Sequence, residues 1–236
     1  MNVGVYRERN TFEPALAALV QKEVGINPDY MADPEPAAGF SFDLMNGACG
    51  VLNAIQVGQA LLETGSTERL LITAADVHPS GDADSDSRYP YADLAGVLLL
   101  SRSTEPEAGF GPVRHYTADH PTDVAGYLDT EAMGLHGRST ITVRREPGHR
   151  ARLAEFAARA VTDYASETNI NLDRTLVIGP FVAHAEGGGE PHTAAPILGY
   201  LRAMDSARRD QCDQFLFVSV GAGPSAACAL YRPERW

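Results

Sequence analysis

Hydrophobic and polar positions change period several times along this chain, and each change marks an element. Asn2 to Tyr6 reads as a short strand. Pro14 to Gly25 follows with helical spacing, opened by Glu13-Pro14 and stopped by a glycine. Residues 26–39, rich in Pro and Asp, predict a loop, and Phe40 to Leu44 a strand. Beyond Cys49 the apolar positions Val51, Leu52, Ile55, Val57, Leu61 and Leu62, with Ala54, Gly58 and Ala60 between them, predict a mostly buried helix ending near Gly65.

Leu70 to Ala74 and Ala95 to Leu100 read as buried strands on either side of an acidic loop, His78 to Arg88. Residues 101–112 read as a connector, and 113–148 are too mixed to assign. Arg150 to Thr168 is helical, with Leu153, Phe156, Ala157, Ala160, Val161 and Tyr164 on one face. LVIG at 176–179 is a strand followed by the Gly-rich AEGGGEPH. Thr193 to Ser206 is a helix with an interruption expected at Pro196, and 215–220 and 226–231 are strands around the turn GAGPS. Short buried strands alternating with helices predict a layered α/β fold.

Composition narrows the classes. The 236 residues suffice for a substantial core, and 44% hydrophobic with 21% charged residues describes a soluble globular chain. Its formal charge of -12, without a clustered basic patch, argues against a general nucleic-acid binder. No apolar run reaches membrane-spanning length, and MNVGVYRERN lacks a secretory signal. Cys49, Cys212 and Cys228 have neither disulfide-framework nor metal-ligand spacing, so the expected setting is a reducing cytoplasm with no metal.

Cys49 is the residue with chemistry to offer. It sits at a strand, Asn-Gly turn and helix junction, where a helix end favours an anion by roughly 0.3–1 kcal/mol and so lowers a thiol pKa. Gly47, Ala48 and Gly50 leave room for a substrate carbonyl, an arrangement suited to acyl transfer. The same pattern also fits a cysteine buried as a small hydrophobe.

FDLMNGACGVLNAIQVGQALLETG resembles the nucleophile segment of the thiolase-fold condensing enzymes, closest to the 3-oxoacyl-[acyl carrier protein] synthase III group. LLITAAD resembles the following strand, and YPYADLAGVLLLS the Asp-Gly-Ala-Gly strand, with Asp93 and Gly96 kept and Leu94 in a glycine's place. FLFVSVGAGPSAACALY resembles the closing Gly-rich hairpin. The resemblance implies a thiolase-like layered α/β fold with halves at 1–108 and 109–236. It implies that Cys49 accepts an acyl group from coenzyme A or a phosphopantetheine-bearing acyl carrier protein, with no tightly bound cofactor. By the same resemblance, the backbone amide of Cys49 and one within Gly221 to Gly223 form the oxyanion hole.

Two departures qualify this. The family's histidine follows a strand that LVIG matches, yet Pro180 and Phe181 stand there; His192 stands where the family has asparagine. His192, and secondly His184, become the candidate bases for Cys49. Losing the paired donors disfavours decarboxylative condensation more than simple acyl transfer, and leaves an inactive, stabilising subunit of a companion synthase as the alternative. The second departure is that the family carries a strand–helix region ahead of the strand that MNVGVY matches. A companion subunit or homodimer is therefore expected to cover an open face. A carrier protein would dock through a local basic patch, of which Arg144-Arg145 and Arg208-Arg209 are the candidates.

Overall fold

Leu16–Glu23 (α1) and Gly50–Glu63 (α2) are the first two helices of the computed structural model, which describes residues 1–4, 15–26, 39–77, 89–119, 123–128, 141–181, 189–221 and 223–234. The carboxylate of Asp43 caps α1 from outside the helix, accepting the amides of Leu16 and Ala17 at 2.9 and 2.8 Å. Among the described residues, the strands expected at Asn2 to Tyr6 and Phe40 to Leu44 are seen as bridges at Asn2 and Asp43; Val5 and Tyr6 lie outside the described residues. Asn2 lies parallel to both Asp43 and Thr73, so the first residues run between 42–44 and the next strand.

That strand is Arg69–Asp76 (β1), paired antiparallel along its whole length with Leu94–Ser101 (β2). The second sheet is built from Gly109–Phe110 (β3), Arg114–Thr117 (β4), Thr175–Ile178 (β7), Gln214–Val220 (β8) and Ser225–Arg232 (β9). Its order is β3-β9-β8-β7, with β4 also on β9; β7 and β8 are parallel and β8 and β9 antiparallel. Val124–Leu128 (β5) and Ile141–Arg145 (β6) form a separate ribbon. β4, β5 and β6 all fall in the stretch whose sequence gave no assignment. The remaining helices are His149–Thr168 (α3) and Ala195–Met204 (α4). Pro196 does not interrupt α4; it occupies the first turn, where a missing N–H costs nothing.

The layers follow from which faces are apolar. Val51, Leu52 and Ile55 of α2 and Ile197 of α4 pack between β1 and the inner face of β7 to β9. Leu153, Phe156, Ala160 and Tyr164 of α3 cover the other face of β8 and β9, so β8 is buried on both sides and reads as continuous hydrophobics. One core joins both halves of the chain. Each half repeats an order, helix then strand then antiparallel strand: α2-β1-β2 and α4-β8-β9. On β2, by contrast, Val97 and Leu99 are 55% and 66% exposed, and among the described residues its outer edge pairs with no strand.

Tyr164 repairs a gap in the second sheet. Its buried hydroxyl accepts the Leu230 amide of β9 at 3.1 Å and donates to the carbonyl of Pro112, between β3 and β4, at 3.5 Å, bridging the two. Tyr164→Phe leaves that amide without a partner and should lower the unfolding free energy by about 1–3 kcal/mol in a urea titration; an unchanged midpoint would contradict this role.

Candidate active site

Cys49 ends a 3-10 turn, Gly47–Cys49, and caps the N-terminus of α2. The turn depends on Gly47, whose φ of 49° lies in the left-handed region. The α2 start abuts the β8–β9 hairpin. Cys49 Sγ is 3.9 Å from the Ser225 carbonyl oxygen, and Cys49 is 1% exposed. Burial pushes the thiol up to about 11, outweighing a hydrogen bond to Ser225. The sequence favoured the opposite direction. A rise from 9 to about 11 corresponds to roughly 3 kcal/mol, several times what a helix end offers an anion.

Two of the amides assigned to an oxyanion hole already have partners. The Cys49 N–H donates to the Asn46 carbonyl at 3.1 Å, and the Gly221 N–H to the Ser225 carbonyl at 2.8 Å. Each must change partner to hold an oxyanion. Gly223 is exposed, within the turn between β8 and β9.

His192 is delivered by a clamped segment. The Glu190 amide donates to Pro90 O and the Ala92 amide to Glu190 O, so 189–191 runs alongside 90–92. Gly189, at φ 113°, fits only as glycine: a side-chain carbon there would meet Ala92 N at 2.6 Å. The His192 ring stacks on Tyr91, centroids 4.0 Å apart and planes 19° from parallel. Its Nε2 sits against Gly47, 3.3 Å from where a Cβ would stand, two residues ahead of Cys49. His192 and Cys49 share no hydrogen bond in this conformation; the thiol is turned to Ser225. His184 lies outside the described residues.

The other ring nitrogen faces a residue that sequence reasoning did not single out. His192 Nδ1 is 3.6 Å from Oδ1 of Asp76, whose side chain is 1% exposed. Asp76 Oδ2 accepts both the amide and the hydroxyl of Thr193 at 2.8 Å. The available signal was an acidic residue closing an otherwise buried strand, LLITAAD. Nearby, Arg145 lies 5.4 Å from the Tyr91 ring and pairs with Glu190 at 3.0 Å, which Arg150 also reaches at 3.3 Å. Arg145 is thereby engaged in holding this segment.

A cavity of about 180 Å³ lies elsewhere, lined by Ala17, Val20 and Gln21 of α1 with Phe42, Leu61 and Leu70, toward the C-terminal end of α2. Among the described residues no cluster of His, Cys, Asp or Glu suits a metal ion, and no helix is long and apolar enough to cross a membrane.

No protein-family model and no curated protein matches this chain. Solved structures do. The 3-oxoacyl-(acyl carrier protein) synthase III of Pseudomonas aeruginosa aligns over 99% of this chain and 77% of its own, at TM-score 0.74 and 15% identity. The β-ketoacyl-[acyl carrier protein] synthase III of Thermus thermophilus covers the same shares at 0.70 and 17%. Xanthomonas campestris OleA, solved with lauric acid and lauroyl-CoA bound, aligns over 98% of this chain and 74% of its own, at 0.68 and 12%. The chain has the thiolase-like fold of these proteins; at such identities the likeness establishes the fold.

Iodoacetamide should alkylate Cys49 more slowly than free cysteine at neutral pH, because burial keeps the thiol protonated. The rate should climb as pH approaches about 11 and the thiolate forms. Peptide mapping that finds Cys49 the faster thiol at pH 7 would contradict that environment.

Proposed function

We propose that this protein takes an acyl group from a coenzyme A or carrier-protein thioester onto Cys49 and passes it to a hydroxyl or amine acceptor, with His192 moving the proton. The observation that carries this reading is the His192 ring, its Nε2 against the turn that ends in Cys49. A thiol held neutral by burial needs such a base at the moment of attack. The fold supports the substrate class, since the solved structures that share it include 3-oxoacyl-(acyl carrier protein) synthases and a protein with lauroyl-CoA bound.

Acceptor type follows from what stands around the base. Carbon–carbon condensation by decarboxylation needs donors aimed at an enolate oxygen. Pro180 and Phe181 carry no side-chain donor at the end of β7, where the resembled enzymes keep their histidine. Transfer to oxygen or nitrogen needs only a thiol, a base and an oxyanion site.

A second reading is an inactive subunit that stabilises a companion synthase. It is favoured by the sealed sulfur and by the spent amides of Cys49 and Gly221. Against it stands the cost of the Asp76–His192 pair. Asp76 Oδ1 and His192 Nδ1 face each other at 3.6 Å, beyond hydrogen-bond distance, and neither has another partner among the described residues; underpaired buried groups cost stability, and a scaffold gains nothing from that. Both readings place a second chain, a companion or another copy, over Val97 and Leu99, since α3 already covers β8 and β9.

Intact-protein and peptide mass spectrometry after incubation with a panel of acyl thioesters separates the two. The active reading expects an acyl adduct on Cys49, absent in Cys49→Ala and formed about 10²-fold more slowly in His192→Ala. No adduct with any thioester, alone or with partner chains added, would establish the scaffold reading instead. Sedimentation should show a mass above that of one chain, alone or with its companion; a monomer under both conditions would remove the second chain.

A further inference from the structure

Asp76 has no assigned role, yet its surroundings are those of a built device. Its two oxygens are treated differently. Oδ2 is pinned by the Thr193 amide and hydroxyl, both at 2.8 Å and buried, which fixes the carboxylate plane. Oδ1 is left facing His192 Nδ1 at 3.6 Å, and neither atom has another hydrogen-bond partner among the described residues. A ring nitrogen beside a carboxylate oxygen is comfortable only as N–H, since two lone pairs would repel. Stacking on Tyr91 holds the ring plane, so the far nitrogen, Nε2, keeps its lone pair toward the Cys49 turn. The clamp comes from the residue next to His192: Thr193 fixes the carboxylate that orients its neighbour.

We propose that Asp76 is the positioning residue of this site: it holds His192 as the Nδ1–H tautomer and thereby makes Nε2 a proton acceptor for Cys49. This rests on the acyl-transfer reading for its catalytic consequence, but its structural content stands alone. In the acylation step the Sγ–H proton passes to Nε2 while sulfur bonds to the thioester carbonyl carbon. The carbon–sulfur bond to the donor then breaks, and the departing thiolate takes that proton from Nε2. In the second step the acceptor's O–H or N–H proton passes to Nε2, oxygen or nitrogen bonds to the acyl carbon, and Cys49 leaves and regains its proton. An Nε2–H tautomer blocks both steps at their first proton transfer. A tautomer with Nε2 as acceptor is also the wrong one to donate to an enolate, which ties Asp76 to transfer onto a heteroatom.

Two readouts test this. The first is the nitrogen-15 spectrum of the His192 ring in wild-type protein, at a pH where the ring is neutral, assigned with His192→Gln. The proposal expects the proton on Nδ1, and a proton on Nε2 overturns it whether or not the protein acylates. The second is Asp76→Asn, which keeps an oxygen for Thr193 and turns an amide donor toward Nδ1. The ring proton should move to Nε2, and Cys49 acylation should slow by about 10²-fold or more. Asp76→Glu should restore part of the rate where Asn does not. If Asn acylates at the wild-type rate with the tautomer unchanged, Asp76 is structural only. If wild type shows Nδ1–H but never acylates, the positioning inference stands and the acyl-transfer reading falls.

Discussion

A buried carboxylate at the end of β1 holds the entrance of α4, and that attachment ties the first sheet to the segment that carries His192. Asp76 belongs to the first sheet, Thr193 to the segment leading into the second helix of the inner layer. Burying a charge at 1% exposure is tolerable only with charge-assisted hydrogen bonds, and two bonds at 2.8 Å supply them. Because Thr193 is fixed, His192 is fixed; because 189–191 is laddered to 90–92, the ring has one place to go. Cys49 arrives independently, carried by α2 packed between the sheets.

Two forces compete at the sulfur, and burial wins. The helix end favours a thiolate, but removing the sulfur from water costs more, so a neutral thiol rests against the Ser225 carbonyl. This resting state differs from an ion-pair thiolate poised for attack. On the proposed acyl-transfer reading, proton removal becomes part of the reaction and gives a correctly oriented imidazole more to do. The amides of Cys49 and Gly221 are satisfied within the turn and the hairpin, so on the same reading each must exchange its carbonyl partner for a substrate oxygen.

Much of the fold is legible in the sequence because its signals are local. The periodicity of 150–168 gives α3, the small-and-large alternation after Cys49 gives α2, and the mainly apolar runs at 70–74 and 215–220 give β1 and β8, of which β8 is buried on both faces. The short strands β4 and β6 escape because they carry charged residues, which removes the hydrophobic pattern that marks a strand, and β5 because five residues with a central glycine are too few to show one. Asn2 to Tyr6 and Phe40 to Leu44 read as strands on composition, whereas among the described residues each contributes one bridged residue. At the site, Cys49 and His192 stand out from motif and position. Asp76 does not, because its meaning depends on Thr193, 117 residues away. The direction of the thiol shift is missed for the same reason: helix dipoles are local and burial is tertiary.

The sequence resembles the condensing enzymes at the turn of Cys49 and at the Gly-rich hairpin, and departs from them at Pro180, Phe181 and His192. The central claim is a Cys49 acyl-enzyme served by His192. A crystal structure of the protein soaked with a slowly turning-over acyl thioester tests it most directly. The account predicts an acyl carbon bonded to Cys49 Sγ, with His192 Nε2 within about 3.2 Å of the sulfur or of the water or acceptor beside the carbonyl. An unmodified Cys49 still turned to Ser225, with the thioester bound elsewhere or not at all, would contradict it.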